Sequence, residues 1–204
     1  MNINLIDKLS QNKVLPIIRS TDVNNVIDSA HAIIDGGLDI LEITVENPQI
    51  YKAIEKLSAE AIICAGGIIT SIQAQAAIDS GAKIISSPIF QQNLVKVSKD
   101  KQVPLIAGTS TANEAYCAWK ARIPLVKIYP AKAMGGADYI ENLLRPMPFL
   151  NLIPQGEVEI EEIPEYINAG ALAVGIGRNL TKASSYTEIE KKVKRIAELL
   201  KDVR

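Results

Sequence analysis

The stretch AIDSGAKIISSP, Ala77–Pro88, decides the fold. It runs from the end of a helix-period segment, through Gly81, into a short apolar run of strand formers. A glycine just past the last helical residue supplies the left-handed cap that turns a chain back on itself. The same punctuation stands in IIDGGLDI (33–40) and in YINAGALAV (166–174). Working outward from these three places, apolar runs recur about every 20 to 25 residues: VLPII (14–18), DILEITV (39–45), AIICAGG (61–67), AKIISSP (82–88), VPLIAGT (103–109), PLVKIYP (124–130), LNLIPQG (150–156) and ALAVGIG (171–177). Each is followed by a polar or Gly/Pro turn and then by helical spacing. Eight repeated βα units with no linker between them favour a closed (β/α)8 TIM barrel over an open doubly wound sheet. One α/β domain over residues 1–204 is expected, with short loops, because a barrel more often needs about 250 residues. The last segment, 186–203, places Ile189, Val193, Ile196, Leu199 and Leu200 at helical spacing and reads as the final outer helix.

Composition narrows the function. Hydrophobic residues make up 48% of the chain but aromatics only 4%, so the core is aliphatic and an aromatic platform for sugars or bases is not expected. A formal charge of −1 speaks against nucleic acid as a partner. The first residues carry no basic, apolar leader pattern, and no window is apolar enough for a membrane span, so a cytoplasmic protein is expected. Cys64 and Cys117 read as free, buried thiols, and with His31 the only histidine a His- or Cys-based metal site is not expected. The available chemistry is that of carboxylates and amines.

Two charged residues interrupt the apolar runs. In DILEITV, Ile40, Glu42 and Thr44 share one strand face and Leu41, Ile43 and Val45 the other. An acid beneath the helix layer would be buried without a partner, so Glu42 is expected inside the barrel, and Lys127 in PLVKIYP by the same reasoning. Such a pair could be a structural ion pair, although desolvation makes that a poor source of stability. It also supplies what imine chemistry on a carbonyl substrate needs, a nucleophilic amine and a nearby proton shuttle. After the eighth run, Gly175-Ile176-Gly177-Arg178 offers backbone N–H groups and a cation where barrels commonly hold phosphate.

Taken in order, LPIIR, LEITVENP, CAGG, SSP, GTSTANE, VKIYPAKAMGG, IPQG and VGIGRNL resemble the 2-keto-3-deoxy-6-phosphogluconate (KDPG) and 4-hydroxy-2-oxoglutarate (KHG) aldolase family, from about residue 10 to 200. The resemblance implies a class I, Schiff-base, metal-free aldolase that needs no cofactor, acts on a small keto acid and is usually a trimer of barrels. It implies Lys127 as the Schiff-base lysine and Glu42 as the general acid/base. Arg19 and Pro88 fall on substrate-holding positions, and Gly156, Gly177 and Arg178 on the far-end anion site. The chain also departs from the family: Glu46 stands where many members carry an arginine for the pyruvate carboxylate, Gly67 replaces a threonine, Gln155 and Glu157 alter the P-T-G-G loop, and Arg178 replaces a serine. Arg19 then becomes the candidate for the substrate carboxylate, and a carboxylate-ended substrate is expected to compete with a phosphorylated one. On the residues alone, a barrel that binds a keto acid without cleaving it, or a phosphate-binding isomerase or transferase, stays open.

Overall fold

The computed structural model describes residues 5–182, 184–201 and 203. Its eight strands are β1 (Val14–Ile18), β2 (Ile40–Thr44), β3 (Ile62–Gly66), β4 (Ile84–Ser87), β5 (Leu105–Thr109), β6 (Leu125–Ile128), β7 (Leu152–Pro154) and β8 (Val174–Ile176). Helix α1 (Leu5–Asn12) precedes β1; α2 (Val23–Asp35), α3 (Ile50–Leu57), α4 (Ser71–Asp79), α5 (Gln92–Lys101), α6 (Ala112–Lys120), α7 (Gly136–Leu144) and α8 (Ile163–Asn168) follow the first seven strands in turn. The chain ends with α9 (Arg178–Thr181) and α10 (Tyr186–Leu199). All pairings are parallel and neighbours in sequence are neighbours in the sheet, with β1 also pairing β8. Between β7 and β8 the ring closes through one parallel bridge, Gln155 against Gly175, and the Leu172 amide donating to the Leu152 carbonyl at 2.9 Å. This is the TIM barrel that the eight apolar runs predict.

The three glycine stops behave as expected: Gly37, Gly81 and Gly170 hold φ of 107°, 100° and 99°, where a Cβ would be strained. Three helix starts are set by capping boxes. Thr70, Thr111 and Ser185 each accept from the amide three residues on, while Gln73, Glu114 and Glu188 reach back to the cap amides. Backbone N–H donation from Ser110 and Thr111 holds the Glu114 carboxyl below its ordinary range.

Alternation along the strands makes two cores. Outward residues such as Leu41, Ile43, Ile63, Ala65 and Val126 pack beneath the helices. Inward residues Leu15, Ile40, Cys64, Ile84, Ile106, Leu125, Ile153 and Ala173 fill the barrel together with Leu9 of α1. Burying each large aliphatic side chain contributes about 1.5–3 kcal/mol, so this interior holds the strands in place beneath the functional face. Helix α1 has no counterpart among the βα repeats and was not anticipated; it stoppers the N-terminal end of the barrel, with Leu5 and Ile6 against the interior cluster. The final helix stops at Leu199 rather than running to 203, and α9 adds a short turn after β8. Cys117 is only half-buried, because α6 turns that side partly to solvent, whereas Cys64 is fully buried as expected. Among the described residues no helix is long and apolar enough to cross a membrane.

Candidate active site

Strands β2 and β6 each place one charged side chain inside the barrel, above the aliphatic plug. Glu42 is 2% and Lys127 4% exposed. Lys127 Nζ donates to Glu42 Oε2 at 2.8 Å and to Oε1 at 3.2 Å, and to Ser86 Oγ of β4 at 2.7 Å. The strands between them make this meeting possible. Gly66 of β3 has no side chain where a Cβ would stand 2.4 Å from Glu42 Oε1. Lys127 pairs in register with Gly108 of β5, so nothing from that position stands between the amine and β4. The Thr109 hydroxyl donates to the Lys127 carbonyl at 3.1 Å and steadies the strand below the amine.

Cys64 is the register partner of Glu42, and its Sγ lies 4.0 Å from Oε2. Burial, then the Glu42 charge, push this thiol well above its ordinary range, with Lys127 acting in the opposite sense. It is therefore a protonated packing group at neutral pH, not a nucleophile. Among the described residues no group of three or more His, Cys, Asp or Glu side chains is placed to hold a metal ion.

One interior step further along the same strands, Thr44 and Tyr129 line a cavity of about 600 Å³ that opens at the C-terminal strand ends. Arg19, Gly156, Gly177 and Arg178 line it as well, so these four expected site residues are brought to one mouth above the Lys127–Glu42 pair. Pro88 does not line this cavity; its exposed ring ends β4, and its backbone lies where a Cβ on Gly108 would meet it at 2.2 Å. Two of the cations at the mouth, Arg19 and Arg178, face carboxylates, while Lys182 lines the cavity as well. Arg19 Nε donates to Glu46 Oε1 at 2.7 Å, and Arg178 Nη1 lies 3.7 Å from Glu157 Oε1. Glu157 holds a φ of 55°, and its side chain is 75% exposed, so it turns from the backbone groups toward solvent and Arg178.

Sequence reasoning missed Ser86 and Cys64 as neighbours of the charged pair. The signal was present: the period of two that puts Ile84 inside also puts Ser86 inside, and Cys64 stands two residues before Gly66 in the same sense. The Arg19–Glu46 contact joins different loops and had no local signal.

A buried amine and carboxylate in hydrogen-bond contact beneath the mouth of a TIM barrel are the two groups that Schiff-base chemistry on a carbonyl requires. The chain belongs to the KDPG and KHG aldolase family, whose model matches residues 5–199. It is 27% identical over 205 residues to the 2-dehydro-3-deoxy-phosphogluconate aldolase of Haemophilus influenzae, covering 97% of each chain. To the enzyme of the same name from Treponema pallidum it is 29% identical over 168 residues, covering 81% of this chain and 80% of the other. The KDPG aldolase of Legionella pneumophila, solved with pyruvate captured as a covalent carbinolamine, superposes with a TM-score of 0.83 at 22% identity, covering 93% of this chain and 97% of that one; this last likeness is one of fold.

Proposed function

We propose that Lys127 is the imine-forming nucleophile, and Glu42 the proton-transfer group, of a class I aldolase that cleaves a 2-keto-4-hydroxy acid to pyruvate and an aldehyde. The observation that carries this reading is the buried contact of 2.8 Å between Lys127 Nζ and Glu42 Oε2. Passing one ammonium proton to Glu42 frees the amine to attack C2 of the substrate. Glu42 returns that proton as the carbinolamine loses water, and the protonated imine becomes the electron sink. The Glu42 carboxylate then takes the C4 hydroxyl proton as the C3–C4 bond breaks, leaving an enamine that is protonated and hydrolysed to pyruvate.

Arg19 is the proposed holder of the substrate carboxylate. Its Nε is used by Glu46, and its two terminal nitrogens make no hydrogen bond among the described residues, which leaves the planar end of the fork for an oxyanion. Gly156, Gly177 and Arg178 are proposed to receive the anionic far end, and Pro88 to edge the pyruvate side. A homotrimeric, cytoplasmic enzyme is part of this proposal on the strength of the family resemblance.

The test is incubation with pyruvate and borohydride followed by intact mass and peptide mapping. A reduced pyruvate adduct on Lys127 is expected, and none in Lys127→Arg, since a guanidinium stays protonated. An adduct on another lysine would move the chemistry elsewhere. No adduct in the wild-type protein would leave Lys127 and Glu42 as a fixed ion pair in a binding barrel.

A further inference from the structure

Ser86 is fully buried on β4 and faces the barrel interior. Its Oγ has one hydrogen-bond partner among the described residues, Lys127 Nζ at 2.7 Å. An ammonium can only donate, so Oγ accepts in that contact and the hydroxyl proton is left with no protein acceptor. A buried donor in that condition costs free energy, of order 1–3 kcal/mol, unless something else enters the site to receive it. The group that faces it is Lys127 from β6, with Glu42 from β2 on the other side of the amine. Glu42 is already in contact with Nζ on another side, so the carboxylate and the hydroxyl hold the amine between them.

Building on the assignment of Lys127 as nucleophile, we propose that Ser86 is a catalytic residue that relays a proton from Nζ to the substrate oxygen when the carbinolamine forms. The lone pair of the neutral amine makes the new N–C2 bond, and the π pair of the C2 carbonyl moves onto its oxygen. This leaves a positive nitrogen and a negative oxygen on the same adduct. Oγ takes a proton from Nζ in the contact already made, and the Ser86 hydroxyl gives its own proton to the new oxygen, so the adduct becomes neutral and the serine is unchanged. Nζ, its proton, Oγ, the hydroxyl proton, the oxygen and C2 form one cyclic array, in which the orphaned hydroxyl proton finds its acceptor. Glu42 cannot serve both ends of this transfer, because it holds the proton first taken from the ammonium.

The experiment compares Ser86→Thr with Ser86→Val, two side chains of the same shape that differ by the hydroxyl. The rate of pyruvate adduct formation on Lys127 is followed by rapid quenching with borohydride from neutral to alkaline pH. The expected result is a plateau rate for the threonine variant within a few-fold of wild type and a loss of about 10²-fold in the valine variant, the low end for a positioned proton-transfer group. The pH of half-maximal rate should be the same in both. Equal plateaus for threonine and valine, or a shifted half-point with the plateau kept, would overturn the relay and leave Ser86 as a neighbour that only holds the ammonium. If the branched side chains do not fold, Ser86→Ala is read the same way: a lowered plateau supports the relay and a retained one overturns it. No adduct in the wild-type protein overturns the assignment of Lys127, and the relay with it; an adduct with a hydroxyl-independent rate overturns the relay alone.

Discussion

Gly66→Ala tests whether the position of the Glu42 carboxylate, and not only its presence, sets the rate. The added methyl would stand 2.4 Å from Oε1, 2.7 Å from the carboxyl carbon and 2.8 Å from Cγ. A comfortable C···O approach is about 3.3 Å, so the carboxylate must withdraw by about 0.9 Å. Its contacts with Lys127, at 2.8 and 3.2 Å, leave no slack for such a movement without losing at least one of them. A misplacement of about 1 Å can cost 10²-fold, and that is the loss in kcat expected here. The variant should not exceed the loss in Glu42→Gln, where removing the proton-transfer group costs roughly 10² to 10⁴. Overpacking by one methyl costs about 1–3 kcal/mol, and a chain of this length loses about 2–4 °C in Tm per kcal/mol, so the barrel should remain folded at assay temperature. Turnover is followed by coupling released pyruvate to its reduction, with a thermal melt of the same sample. A folded Gly66→Ala protein that turns over at the wild-type rate would refute the reasoning, since the carboxylate would then be free to move without consequence.

At the mouth, Glu157→Gly should improve kcat/KM for the phosphorylated sugar acid relative to 4-hydroxy-2-oxoglutarate; because Glu157 faces solvent and is offset by Arg178, a change of only a few-fold is expected, and an unchanged ratio would show that this carboxylate does not reach the substrate. Cys64 should make stability fall on the alkaline side. Below about pH 8.5 the thiol is protonated in both states, and above it the unfolded chain releases a proton that the folded chain keeps, so unfolding is favoured as pH rises. Urea midpoints from neutral to alkaline pH should decline more steeply in the wild type than in Cys64→Ala, and parallel curves would show that the thiol ionises equally in both states.

The sequence carried the architecture because it repeats. Gly37, Gly81 and Gly170 each report a left-handed turn before a strand, and a local requirement stated three times survives the ambiguity of any one copy. Glu42 and Lys127 were legible for a different reason: charge inside an apolar run has few places to go, and alternation leaves only the barrel interior. What could not be read depended on contacts between distant strands. Ser86 looks like one of two serines before a proline until Lys127 reaches it across β5. Glu46 and Arg19 are each intelligible as mouth charges, but their pairing requires the register of β1 on β2, which brings the two loops together. Helix α1 lacked any repeat to echo, and its purpose appears only when the open end of the barrel is seen to need Leu9.

The ring of strands is sewn unevenly. β2 and β3 are matched over five residues, whereas β7 and β8 are joined by one bridge, Gln155 to Gly175, and one backbone hydrogen bond, from Leu172 to Leu152. The stiffly joined part carries Glu42, and the loosely joined seam borders Gly156, Gly177 and the far end of the cavity. Local opening costs least where the fewest buried hydrogen bonds must break. The firmly matched wall thus keeps the Glu42 carboxylate within reach of Lys127, while the far end of the cavity is bounded by the part of the ring with the fewest strand hydrogen bonds, so substitutions along that seam are expected to leave the buried pair undisturbed.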